Sequence, residues 1–115
     1  MPVQPLGISS PELICIQNTL RILGIPVHRK GYRQLAIAID CYTRDNTQSI
    51  TKELYPAVAQ ITGIQDWRLV ERDIRTVIQY AWANRDSSVW DIYFPVVDKA
   101  PSNKIFISTL SDLLQ

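Results

Sequence analysis

Three observations in the sequence predict an all-helical domain. At roughly 100° per residue, the stretch 67–85, WRLVERDIRTVIQYAWANR, puts Trp67, Val70, Ile74, Val77, Ile78 and Ala81 on one side and Arg68, Arg72, Arg75 and Gln79 nearly opposite. Leu13, Ile16, Leu20 and Leu23, and again Tyr32, Leu35, Ile39 and Tyr42, recur at helical spacing. Helix starts and stops fall between these runs: Pro11 and Pro56 suit first helical positions, and Gly24 and Gly63 suit helix ends.

The elements follow in order. Residues 1–9 carry Pro2, Pro5 and Gly7 without periodicity and read as a flexible leader, which leaves 10–115 as one domain. Helix one has Ser10 as N-cap, Pro11 at its first position and Glu12 in its first turn, and Gly24 with Pro26 stops it. The linker 25–32 contains His28-Arg29-Lys30 and is too distinctive to be filler. His28 is the one histidine of the chain, so a His-based metal site is nearly excluded and an ordered loop histidine is expected. Helix two then places Tyr32, Leu35, Ile39 and Tyr42 on the core, and 44–48 is a polar loop.

Ser49 caps a short helix over Ile50–Leu54. Proline biases its predecessor away from the helical region, so a break or bend is expected at Tyr55, giving two short helices and not one long one. From Pro56 another short helix buries Ala57, Val58 and Ile61 and ends at Gly63, and the long helix follows, ending in the turn-forming residues 84–88. Residues 87–103 are the least regular, but Val89, Trp90, Ile92, Tyr93, Phe94, Val96 and Val97 are too apolar to dangle and should wrap over the core. Ser102 or Asn103 caps the last helix, whose buried side is Ile105, Phe106, Leu110, Leu113 and Leu114. Trp67, Trp82 and Trp90 are expected at the core or its edge, not as a stacking platform for single strands.

An amphipathic helix alone reads as a core helix with a solvated charged face. A short helix, a glycine turn and a longer helix with outward arginines over 56–85 make a different pattern, the helix-turn-helix, whose second helix enters the major groove. Arginine's planar fork matches guanine edges and phosphates.

At 115 residues and 13.1 kDa, with 46% hydrophobic residues, the chain has ample material for one core. Cys15 and Cys41 are too few for a disulfide framework and are expected as reduced, buried thiols, pointing to a cytoplasmic protein. No window approaches a membrane span and no signal peptide is evident. A net charge of +1 and a pI near 7.8 make a weak electrostatic footprint, so any DNA binding must come from local placement of charge. No nucleophile and base pair, metal-ligand cluster or glycine-rich phosphate loop emerges, so neither an enzyme nor a cofactor is expected.

Several short motifs now stand in one order: Gly24-Ile25-Pro26-Val27-His28-Arg29-Lys30-Gly31-Tyr32; Ser49-Ile50-Thr51-Lys52 with Leu54-Tyr55-Pro56; Val70-Glu71-Arg72 with Ile74-Arg75; Ala81-Trp82; and Pro101-Ser102-Asn103 with Phe106-Ile107. Together they resemble the C-terminal DNA-binding effector domain of the stage-zero sporulation protein A family, over roughly residues 13 to 114. The resemblance implies a six-helix domain, a recognition helix over 68–85, and binding to a box of the TGNCGAA type, often as head-to-tail pairs, to activate or repress transcription; RNA polymerase or a full-length regulator is the further partner expected. It implies that Glu71, Arg72 and Arg75 read bases or face the groove, with Arg68 and Gln79 on the same stripe. The loop before the helix and Pro101-Ser102-Asn103 would approach the phosphate backbone.

The chain departs from that family at Leu69 and Thr76, where a basic residue and a histidine are usual, and at Asp73, where a small residue is usual. These changes remove positive charge and are expected to lower affinity for DNA. The receiver domain that precedes the effector domain in the family is not among these residues, so a stand-alone module is expected, binding DNA constitutively and not switched by aspartyl phosphorylation. Two functions compete. One is sequence-specific double-stranded DNA binding, with Arg72 or Arg75 on guanine and Glu71 accepting from a cytosine amino group. The other is a protein-interaction module on the same fold that has lost or weakened DNA binding and pairs with a full-length regulator.

Overall fold

The computed structural model describes residues 11–95 and 97–114. The expected leader, the Ser10 cap and the placement of Val96 lie outside the described residues. Six α-helices follow one another: α1 Pro11–Ile22, α2 Lys30–Arg44, α3 Tyr55–Thr62, α4 Trp67–Ala83, α5 Ser87–Tyr93 and α6 Asn103–Leu113, with a π-helical turn, Ile50–Leu54, leading into α3. Among the described residues there is no strand.

The core is built around α2, which packs against α1, α3, α4, α6 and the π turn. Residues 31–39 are all buried except Arg33, so the expectation that only Tyr32, Leu35 and Ile39 face inward is too narrow. Gly31, Ala36 and Ala38 are small enough to let neighbouring helices close on more than one side. Tyr42 is only half-buried. Helix α1 contributes Leu13, Ile16 and Leu20, with Leu23 just beyond it, as its spacing predicts.

Burial of Val70, Ile74, Val77, Ile78 and Ala81, each at most 1% exposed, fixes α4 on this core. Each fully buried Val or Ile contributes about 1.5–3 kcal/mol, so the inner face alone sets the rotation of α4 about its axis. Helix α5 turns the chain back over the core through Trp90, which is buried and donates from Nε1 to the Leu23 carbonyl at 3.0 Å. Trp82 meets Trp90 edge-on at 5.5 Å and Phe94 stacks on Phe106 at 5.1 Å. Trp67 stacks on Tyr55 at 6.1 Å, so all three tryptophans pack as expected.

Several expectations are corrected. The π turn and α3 are two short elements that meet at Tyr55, as expected, but Tyr55 itself keeps a helical backbone, at φ −60° and ψ −44°. The π turn before it is the reason. Leu54 N–H reaches back to the Ser49 carbonyl at 2.9 Å and Tyr55 N–H to that of Ile50, a wider turn than an α-helix has. That turn gives the Pro56 ring room, while burial of the Tyr55 ring holds the residue helical. Ile61, Ile105 and Leu113 are exposed, not buried, and Ile92 of α5 is 71% exposed. Cys15 is exposed and Cys41 half-buried, both free thiols, because Leu13 and Ile16 take the inward positions of α1 around Cys15.

Candidate nucleic-acid interface

Gly63 ends α3 in the left-handed conformation, at φ 76°, and the chain enters α4 at Trp67, four residues later. Asp66 is the N-cap of α4; its Oδ1 accepts from the Arg68 N–H at 2.9 Å. An aspartate just before the long amphipathic run is a cap signal that the sequence reading passed over. Because the inner face is fixed, Arg68, Arg72, Arg75 and Gln79 all point to solvent, as expected, and Glu71 lies at the edge of the same face.

Every arginine of the stripe holds a carboxylate. Arg68 donates to both oxygens of Asp66 at 3.0 Å, Arg72 lies 3.2 Å from Asp73 Oδ1, and Arg75 lies 3.7 Å from Glu71 Oε1. Three guanidinium groups thus face three carboxylates, and the outer face of α4 is close to neutral. The hydrogen bonds from Arg68, side chain first and then backbone, hold the Asp66 carboxyl below its ordinary range, and the same pairing raises Arg68. Exposed pairs of this kind contribute about 0–1 kcal/mol, so a better partner can displace them.

On one flank of α4 lies the start of α6. Asn103 is 9% exposed, and its Nδ2 donates to the Tyr55 hydroxyl at 3.1 Å and to the Glu71 carbonyl at 2.9 Å. This residue, expected at the phosphate backbone, instead ties α6 to α3 and α4 with its amide group. Burial raises the Tyr55 hydroxyl pKa, and the hydrogen bond from Asn103 works against that. Ser102 is exposed and is the cap of α6, accepting from the Ile105 N–H at 3.2 Å. Between this segment and α4 runs a cleft of about 750 Å3, lined by Glu71, Arg75, Gln79, Ser102 and two exposed cations, Lys99 and Lys104. The sequence reading missed both lysines, although Lys104 sits in the first turn after the cap it had marked.

On the other flank α2 approaches. A Cβ on Gly31 would overlap the Asp73 carbonyl and lie 2.8 Å from Val77 Cγ1, so only glycine permits this approach. Three residues on, Gln34 is buried and donates from Nε2 to Asp73 Oδ2 at 3.0 Å, while its Oε1 has no partner. Asp73 is therefore gripped from two sides, by Gln34 and by Arg72. His28, Arg29 and Lys30 border a depression of about 300 Å3 with Asp73, Thr76 and Val77. Leu69 and Thr76, where the resemblance would have basic and histidine side chains, are exposed along this flank.

Among the described residues no three of His, Cys, Asp and Glu form a group able to hold a metal ion, and no helix is long and apolar enough to cross a membrane. The family model described as sporulation initiation factor Spo0A C terminal matches residues 16–114. The chain therefore belongs to the Spo0A C-terminal family of sporulation initiation factors, a family of DNA-binding effector domains that regulate transcription.

Proposed function

We propose that α3, the turn at Gly63 and α4 work as a helix-turn-helix that reads base edges of double-stranded DNA in the major groove, making the protein a sequence-specific transcription regulator. The observation that carries this reading is the exposed stripe Arg68, Arg72, Arg75 and Gln79, held outward by an inner face that has no other place to go. A bidentate contact with the correct base is worth about 1–3 kcal/mol of discrimination, more than the 0–1 kcal/mol or so of an exposed ion pair that must open first. Glu71 stays beside Arg75 and accepts from a cytosine amino group. Lys99, Lys104 and Ser102 border the backbone on the α6 flank, and Asn103 supports them from within. The reading extends to head-to-tail pairs on adjoining boxes, to contact with RNA polymerase and to work in the cytoplasm.

The neutral reading face favours a second reading, an interaction module that binds a full-length regulator and has weakened DNA binding. A gel-shift titration at low salt separates them, with one duplex carrying a TGNCGAA-type box and one scrambled. Preference for the box is the expected result. Absence of binding to either duplex hands the case to the interaction module.

A further inference from the structure

The loop His28-Arg29-Lys30 has a different electrostatic situation from the arginine stripe beside it. All three residues are exposed, and among the described residues none of their side chains makes a hydrogen bond or ion pair. The carboxylate that shares their depression, Asp73, cannot serve them well, because one oxygen accepts from Gln34 and the other from Arg72. Two unpaired cations, Arg29 and Lys30, with the His28 ring beside them and next to a helix whose own cations are paired, are suited to a ligand with many negative charges and no required sequence.

The position of this loop is fixed. A tight turn closes it, with Arg29 N–H donating to the Pro26 carbonyl at 3.2 Å and Tyr32 N–H to that of Arg29 at 3.1 Å. Gly31, the next residue along, lies against the backbone of α4 at Asp73. The cations thus sit at a set offset from the reading face, on the side of Thr76, whose hydroxyl bonds back to the Arg72 carbonyl one turn earlier at 2.9 Å. A helix lying in the major groove has a sugar-phosphate strand along each flank. Lys99 and Lys104 border one flank, and this loop borders the other.

We propose that His28, Arg29 and Lys30 form a second DNA contact that takes phosphates of the strand bordering the groove occupied by α4; this rests on the helix-turn-helix reading above. The loop supplies sequence-independent grip, and α4 supplies discrimination. Each phosphate neutralised releases condensed counterions, so the contact has a signature in salt dependence.

The test measures Arg29→Ala and Lys30→Ala against the wild-type chain on box and scrambled duplexes at several salt concentrations, with thermal unfolding of each variant and Arg21→Ala on α1 as a charge-matched control. Both loop variants should lose affinity equally on the two duplexes. The fall in affinity between 50 and 200 mM salt should become about 3.5-fold smaller per contact removed, a slope change near one unit. Melting temperatures should not move, Arg29→Lys should retain binding, and Arg21→Ala should match wild type. Loop variants with wild-type affinity and slope, or variants that lose affinity on the box alone, overturn the phosphate contact while leaving the α4 reading in place. A wild-type chain that binds neither duplex overturns both.

Discussion

Helices α2 and α4 are of similar length, 15 and 17 residues, yet α2 hides its middle on nearly every side whereas α4 hides one side and holds the other out. In α2 the polar exception, Gln34, is buried and bonded to Asp73 of α4. In α4 the three arginines are exposed, and each pairs with a carboxylate of the helix or of its cap. The difference separates two kinds of consequence. A change in the middle of α2 acts on packing and appears as lost stability, while a change on the outer face of α4 breaks only weak surface pairs and appears as altered binding. The helices meet at Gly31, Gln34 and Asp73, where one substitution can do both.

The largest effect expected at that meeting point is from Gly31→Ala. Alanine gains roughly 0.5–1 kcal/mol over glycine in a helix interior, but overpacking typically costs about 1–3 kcal/mol. Here the obstruction includes the Asp73 backbone, which cannot rotate away. The packing term should win, and urea unfolding should show a lower midpoint with an unchanged slope. A midpoint equal to or above wild type would mean that α2 and α4 are not in this close contact.

A smaller and more selective effect is expected from Asp73→Asn, which removes a charge at the edge of the outer face of α4 and releases Arg72 from its ion pair. Affinity for scrambled DNA should rise and its salt slope steepen by up to about one unit. The ratio of box to scrambled affinity should fall, because the generic term has grown. Unfolding should change little, since asparagine still accepts from Gln34. Unchanged affinity for scrambled DNA would mean that the Arg72–Asp73 pair has no influence on binding.

Much of α4 was legible in the sequence, because an amphipathic period speaks directly about one helix and its two sides. Ser49 and Ser102 as caps, Pro56 and Gly63 were legible for the same reason: their chemistry acts within a few residues. The Glu71–Arg75 pair could also be anticipated from its i, i+4 spacing. The pairing of Arg72 with Asp73 could not, because neighbours in sequence do not ordinarily face each other on a helix and Asp73 is steered by Gln34, 39 residues away. The burial of α2 was under-read because periodicity shows which side is apolar, not how many neighbours small residues admit. Asn103 looked like a cap or a phosphate contact; its inward role depends on Tyr55 and on a Glu71 carbonyl that only the folded chain brings near.

The smallest effect expected concerns acid. Asp45, Asp66 and Asp86 are exposed carboxyls held below the ordinary value of 3.8, by the Thr47 hydroxyl, the Arg68 guanidinium and the Ser88 hydroxyl respectively. A carboxyl lowered in the folded state stabilises it above the unfolded value, and that contribution disappears as pH falls through the folded value. Melting temperature should therefore be level above about pH 5 and decline slightly below pH 4, with Asp66→Asn and Asp86→Asn flattening the decline. A decline that begins near neutral pH would point to other groups.

The reading role proposed for α4 is tested most directly by Arg72→Ala and Arg75→Ala on box and scrambled duplexes, at two salt concentrations, with unfolding measured alongside. For Arg72 the expected result is a loss of about 1–3 kcal/mol on the box and little on scrambled DNA. Arg75, paired with Glu71 and bordering the α6 cleft, should show a mixed response, with some loss on both duplexes and a shallower salt slope. Equal losses on the two duplexes for both variants, in proteins that unfold like wild type, would contradict base reading and reduce α4 to a helix resting on the backbone.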